Sequence, residues 1–237
     1  VRMTRDIGFL IFPQFQLLDA AGPIAAFEIA GRLVPGAYRL HVLARDPGAV
    51  ASSSGVAMTA EAFDTVPSLD TLIVSGGEGT RSPAICAATL DFARATFRTA
   101  RRTASVCSGA YVLAAAGLLD GRRATTHWQR SKDFQRRYPA VRLEPDKIFV
   151  QDGSLWSSAG ITAGIDMALA MIGADLGEAI ARGVAQQLGH QAVEAFRVRG
   201  STLAQLLHQA RRQLAGKRHQ AGGRIEAALL APLADIA

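Results

Sequence analysis

Cys107 sits where a short strand-like run, residues 103–106, gives way almost at once to a helix-like run rich in Ala and Leu. Only Ser108 and Gly109 are available for the turn, and both are small. A nucleophile at such a bend has the layout of a nucleophile elbow, which lifts its side chain above the sheet. The helix start behind it offers N–H groups and the positive end of a dipole. A thiol there is expected to have a depressed pKa and to alkylate well below pH ~8.5, ahead of Cys86. The competing reading is a buried cysteine that acts as a small hydrophobe. Cys86 falls in a helical surface-to-core pattern and is assigned no chemistry.

An elbow cysteine needs partners from neighbouring strand ends. Asp19 follows the first apolar run and could exchange a proton with the thiol or orient a substrate, although Asp also serves as a helix N-cap. Gly76 and Gly77 follow another strand-like run. Their N–H groups could stabilise an oxyanion, whereas a bare Gly-Gly is otherwise a turn. His127 comes 20 residues after Cys107 and could reach it or be purely structural, and His41 lies inside a strand pattern and reads as structural. No metal-ligand spacing, phosphate loop or dinucleotide fingerprint is present, so neither a metal nor a cofactor is expected.

The elements that must position these residues alternate along the chain. Residues 7–12, 38–44, 71–75 and 103–106 read as strands, the first an unbroken apolar run of the kind buried on both faces. Residues 24–33, 83–101, 161–172 and 176–188 read as helices. Residues 148–156 pair two short apolar runs around Asp152-Gly153, which predicts a hairpin and an antiparallel edge. Strand followed by helix several times over argues for an α/β fold with a doubly wound, mostly parallel sheet. Ligands of such sheets sit outside the carboxyl ends of the strands, where Asp19, Gly76, Gly77 and Cys107 fall.

Composition sets broader limits. Two cysteines in 237 residues make no disulfide framework, which favours a reducing, cytoplasmic setting. No apolar run approaches the ~20 residues of a membrane helix, and no signal-peptide hydrophobic region is evident near the start. The net charge of +6 is uneven: residues 1–188 carry 19 Lys/Arg against 17 Asp/Glu, and residues 189–237 carry 7 against 3. The chain therefore divides into a domain at 6–188 and a basic, helical C-terminal extension at 189–237, with helices expected at 202–214 and 224–233. Leu203, Leu206, Leu207, Ala210 and Leu214 share one face of the first of these, so the extension is expected to dock and not to act as a nucleic-acid arm.

Six stretches together resemble the ThiJ/PfpI superfamily of class I glutamine-amidotransferase-like proteins, over about residues 6–188. They are Ile7-Gly8-Phe9-Leu10-Ile11-Phe12, Leu18-Asp19-Ala20-Ala21-Gly22-Pro23, Val74-Ser75-Gly76-Gly77, Val106-Cys107-Ser108-Gly109-Ala110, Ala124-Thr125-Thr126-His127-Trp128 and Ser158-Ala159-Gly160-Ile161-Thr162-Ala163-Gly164-Ile165-Asp166. The resemblance implies a flavodoxin-like fold, a homodimer, Cys107 as the elbow cysteine and Asp19 as its acidic partner. Two branches compete. Asp19, Cys107 and Ser108 are similar to the Asp, Cys and small-hydroxyl set of isonitrile hydratases, which implies a small-molecule substrate and a Cys thioimidate. Residues 75–81 and 118–123 are similar to the amidase-like sensor domain of AraC-type transcriptional regulators, which implies a small-molecule effector without catalysis. The proteases of the superfamily place a histidine directly after the cysteine, where this chain has Ser108, so a protease is not expected. A regulator would require a pair of helix-turn-helix units, for which the 49 residues after Leu188 are short.

Overall fold

The computed structural model describes residues 3–66, 68–81 and 85–189. Its centre is a six-stranded sheet whose order follows from five parallel strands and one antiparallel one. The strands are β1 (Arg5–Leu10), β2 (Tyr38–Leu43), β5 (Thr71–Val74), β6 (Arg102–Val106), β9 (Phe149–Asp152) and β10 (Leu155–Ser158), arranged β2-β1-β5-β6-β10-β9. Only β9 runs antiparallel, paired to β10 through the turn at Gly153 and Ser154. This is the doubly wound, mostly parallel sheet with an antiparallel edge that the alternation of runs predicts.

Successive side chains of a strand point to opposite faces, and both faces are buried here. Ile7, Phe9, Ile73, Ala104 and Val106 point to one side. They pack with α1 (Leu17–Leu33), α5 (Ala163–Leu176) and α6 (Glu178–Gln187). Leu10, Leu72 and Val74 point to the other, with α3 (Ala110–Ala115), α4 (Ser131–Arg137) and the flank of α2 (Ala87–Thr99). At the start of β6 the buried Arg102 meets Asp175 of α5 at 2.6 Å, and Tyr38 of β2 donates to the same carboxylate at 3.1 Å. That pair ties α5 to the sheet at the end away from Cys107.

Several boundaries differ from the sequence expectations. Helix α1 begins at Leu17 and not at residue 24, and it carries Pro23 inside it. Proline removes the N–H that would bond the carbonyl four residues back and crowds that carbonyl with its ring, a cost offset by the burial of the helix face that carries Ala26, Phe27 and Ala30. Helix α2 begins at Ala87, four residues after the expected start. A two-stranded antiparallel hairpin, β3 (Gly48–Ala51) with β4 (Ala57–Ala60), gave no alternating signal in the sequence. A short parallel pair joins β7 (Arg123–Ala124) to β8 (Arg142–Leu143). No helix among the described residues is long and apolar enough to cross a membrane. The expected helices at 202–214 and 224–233, and the extension from residue 190 onward, lie outside the described residues.

Candidate active site

The strand order reverses between β1 and β5, and the chain places its candidate residues at the carboxyl ends there, as open α/β sheets do. Cys107 directly follows β6, in a single turn of 3-10 helix (Cys107–Gly109) that leads into α3. Its φ of +57° lies in the left-handed region, which costs a non-glycine residue about 1–2 kcal/mol. That strain is characteristic of an elbow and persists because its surroundings fix it. One fixing contact is visible: the Thr126 hydroxyl donates to the Cys107 carbonyl at 2.9 Å.

Asp19 lies in the first turn of α1 and is fully buried. Gln16 occupies the N-cap position, so capping does not account for Asp19. Its Oδ2 accepts from the Gly76 N–H at 3.0 Å, whereas Oδ1 has no hydrogen-bond partner among the described residues. The carboxyl interacts directly with the Cys107 thiol. The Ser108 hydroxyl accepts from the Gly77 N–H at 2.9 Å and reaches the Gly77 carbonyl at 3.2 Å. Both N–H groups that the sequence offers to an oxyanion are thus engaged by side chains of the site. Gly76 and Gly77 hold Asp19 and Ser108 in this arrangement. Neither tolerates a side chain: a Cβ on Gly76 would lie 2.6 Å from Asp19 Oδ2, and Gly77 has φ +127°.

The protonation pattern corrects one expectation. Burial pushes the Cys107 thiol up to about 12, with the neighbouring Asp19 adding to the rise, and these outweigh the Ser108 N–H that favours the thiolate. Burial likewise raises Asp19 to about 7, against the Gly76 N–H and the thiol, which favour its anion. Burial thus favours the neutral form of both groups, and because each shifts the other they titrate as a coupled pair. The thiolate-stabilising thiol is instead Cys86, at the N-cap of α2. The Thr89 N–H and the Arg45 guanidinium lower it to about 7. The expected order of alkylation is therefore reversed.

A cavity of about 170 Å³ opens above the elbow and brings Cys107, Ser108, Gly77 and His127 together with residues to which the sequence assigns no site role. Those include Gln16, Ser53, Arg81, Tyr111 and Arg130. His127 Nδ1 accepts from the Gln129 N–H at 3.3 Å, and burial followed by the charge of Arg130 lowers its pKa. A neutral ring with Nδ1 as acceptor carries its hydrogen on Nε2, which makes it a donor. His41 is bonded to Asp6 at 2.9 Å, in keeping with a structural role. Among the described residues no group of three His, Cys, Asp or Glu side chains is placed to hold a metal ion.

Such a site, a strained cysteine on a sheet-to-helix bend beside a buried carboxyl, defines a class of doubly wound α/β proteins with a cysteine elbow. Residues 5–174 match the DJ-1/PfpI family model, and the chain belongs to that family. It is 40% identical to an isonitrile hydratase of Pseudomonas putida over 172 residues, 71% of each chain. It is 35% identical to the HTH-type transcriptional regulator CdhR of Pseudomonas aeruginosa over 187 residues, 78% of this chain but 55% of the regulator. A ThiJ/PfpI family protein from Pseudomonas syringae superposes with a TM-score of 0.72 at 30% identity, covering 80% of this chain and 77% of that one.

Proposed function

We propose that the protein hydrates a small isonitrile through a covalent Cys107 thioimidate. The reading is carried by the Asp19 carboxyl, buried against the Cys107 thiol at a strained elbow, in a chain 40% identical to an isonitrile hydratase. Above about pH 7 the pair holds one proton, so Asp19 is a carboxylate beside an S–H and acts as the general base. As the S–C bond forms at the isonitrile carbon, Asp19 takes the thiol proton and delivers it to that carbon, giving R–N=CH–S–Cys107. Water then adds across the C=N bond, its hydroxyl going to the carbon and its proton, relayed through the Asp19 carboxyl, to the nitrogen, giving R–NH–CH(OH)–S–Cys107. Collapse breaks the C–S bond, returns a proton to sulfur and releases R–NH–CHO, with one water consumed. Ser108 and Gly77 keep the elbow loop in register with the β5 loop. His127 Nε2–H is a neutral donor to the substrate.

The test is turnover of cyclohexyl isocyanide to N-cyclohexylformamide by the purified protein, followed by gas chromatography. Cys107→Ala is expected to abolish it, and absence of formamide from the unmodified protein with both this isonitrile and isocyanoacetate rejects the reading.

A second reading, a non-catalytic sensor domain related to AraC-type regulators, is favoured by one observation: burial holds the resting thiol protonated. The match to the CdhR regulator is compatible with it. On that reading small molecules bind the cavity without product, and Cys107→Ala leaves their affinity unchanged.

A further inference from the structure

Part of the cavity wall is cationic. Arg81 and Arg130 both line it, together with Glu78. The Glu78 carboxylate pairs with both guanidinium groups, with Arg130 Nη2 at 3.4 Å. Among the described residues no other carboxylate pairs with either arginine, so two positive charges share one negative charge. The arginine side chains are only 31% and 38% exposed. Gln16, Ser53, Thr80 and Gln129, which also line the cavity, are neutral. A guanidinium carries five N–H donors in a fork that matches a carboxylate, and one shared glutamate leaves most of them unused. In a concave, half-open recess whose low-dielectric walls focus the field, such a surplus charge attracts an anion more strongly than the same charge does on a flat surface.

We infer that the ligand of this cavity carries a carboxylate, gripped by Arg81 and Arg130, which sets the opposite end of the molecule at Cys107. The volume limits the rest. About 170 Å³ falls below the ~300–1,000 Å³ of pockets for drug-sized ligands. A compact carboxylic acid with a few further atoms fits. The reacting end rests on the hydratase reading, which makes the substrate class a short isocyano-carboxylate. The anion grip stands on the arginines alone.

Isocyanoacetate and its uncharged methyl ester form a matched pair that tests this. In isothermal titration of the full-length Cys107→Ala protein, the acid is expected to bind at least ~10-fold more tightly than the ester. Arg81→Gln and Arg130→Gln should each erode that preference, and Arg130→Lys, which keeps the charge, should retain part of it. Equal or weaker binding of the acid, binding of neither, or a preference that survives loss of both arginines overturns the inference. Turnover by the protein with Cys107 intact separates the two claims. Selective binding of the acid without formamide formation sinks the hydratase reading and leaves the anion grip standing. Turnover of the ester in preference to the acid sinks the grip and leaves the hydratase.

Discussion

Asp19 and Cys107 are the residues on which the chemistry turns, and each has a measurable signature. The Asp19 carboxyl ionises at about 7 in the fold against an ordinary value of 3.8. A raised acid favours the fold most below its ordinary value, and that contribution is lost as pH rises through about 7. Asp19→Asn keeps an acceptor for the Gly76 N–H without a charge to bury. It is expected to raise the melting temperature above pH 7 and to converge with the unmodified protein below pH 4. The upper bound on the gain is about 4 kcal/mol, checked by denaturation across that range. The thiols provide a second signature. Cys86 is partly exposed, with a thiol near 7, and Cys107 is buried, with a thiol near 12. Iodoacetamide at pH 7.5 should therefore modify Cys86 at least ~10-fold faster, read by peptide mass spectrometry. Faster labelling of Cys107 would show that the elbow lowers its thiol after all. The bend itself was legible in Val106-Cys107-Ser108-Gly109. The burial that reverses the thiol's pKa was not, because it depends on the folded chain closing around the elbow and on α1 bringing Asp19 to it.

At the scale of elements, the site is a junction of three loops, after β1, β5 and β6, zipped together by backbone contacts. Gln16 N–H donates to the Gly76 carbonyl at 2.8 Å, and Gly76 and Gly77 in turn hold Asp19 and Ser108. Gly76→Ala places a methyl 2.6 Å from Asp19 Oδ2 and 2.7 Å from the Ser108 nitrogen. Displacing these groups by about 1 Å is expected to reduce turnover by about 100-fold and stability by about 1–3 kcal/mol. Gly31→Ala, inside α1 with nothing within 4 Å, is the control and should stabilise by about 0.5–1 kcal/mol. Equal behaviour of the two variants in kinetics and melting would remove Gly76 from the site. The buried strands were readable as apolar runs, and the β9–β10 hairpin from Asp152-Gly153. The start of α1 was hidden because Gly22-Pro23 reads as a break, although packing on the sheet carries the helix through it. Ser53 could not be found, since the β3–β4 hairpin that delivers it has no alternating pattern.

At the scale of the whole molecule, one scaffold serves relatives that are named as an enzyme and relatives that are named as regulators. Asp19, Gly76, Gly77, Cys107 and Ser108 are local in sequence to strand ends, which is why a linear reading reached them. Arg81 and Arg130 reach the same cavity from distant loops, and only the folded chain brings them together. Whether the scaffold is used for chemistry depends on one bond, between Cys107 sulfur and the substrate carbon. The most direct measurement is acid quenching of the protein during incubation with cyclohexyl isocyanide, followed by mass spectrometry of the Cys107 peptide. A mass increase of one isonitrile on Cys107, which decays as formamide accumulates and is missing in Cys107→Ala, is the result expected. An unmodified Cys107 together with no formamide, from this isonitrile and from isocyanoacetate alike, would contradict a covalent role for the elbow.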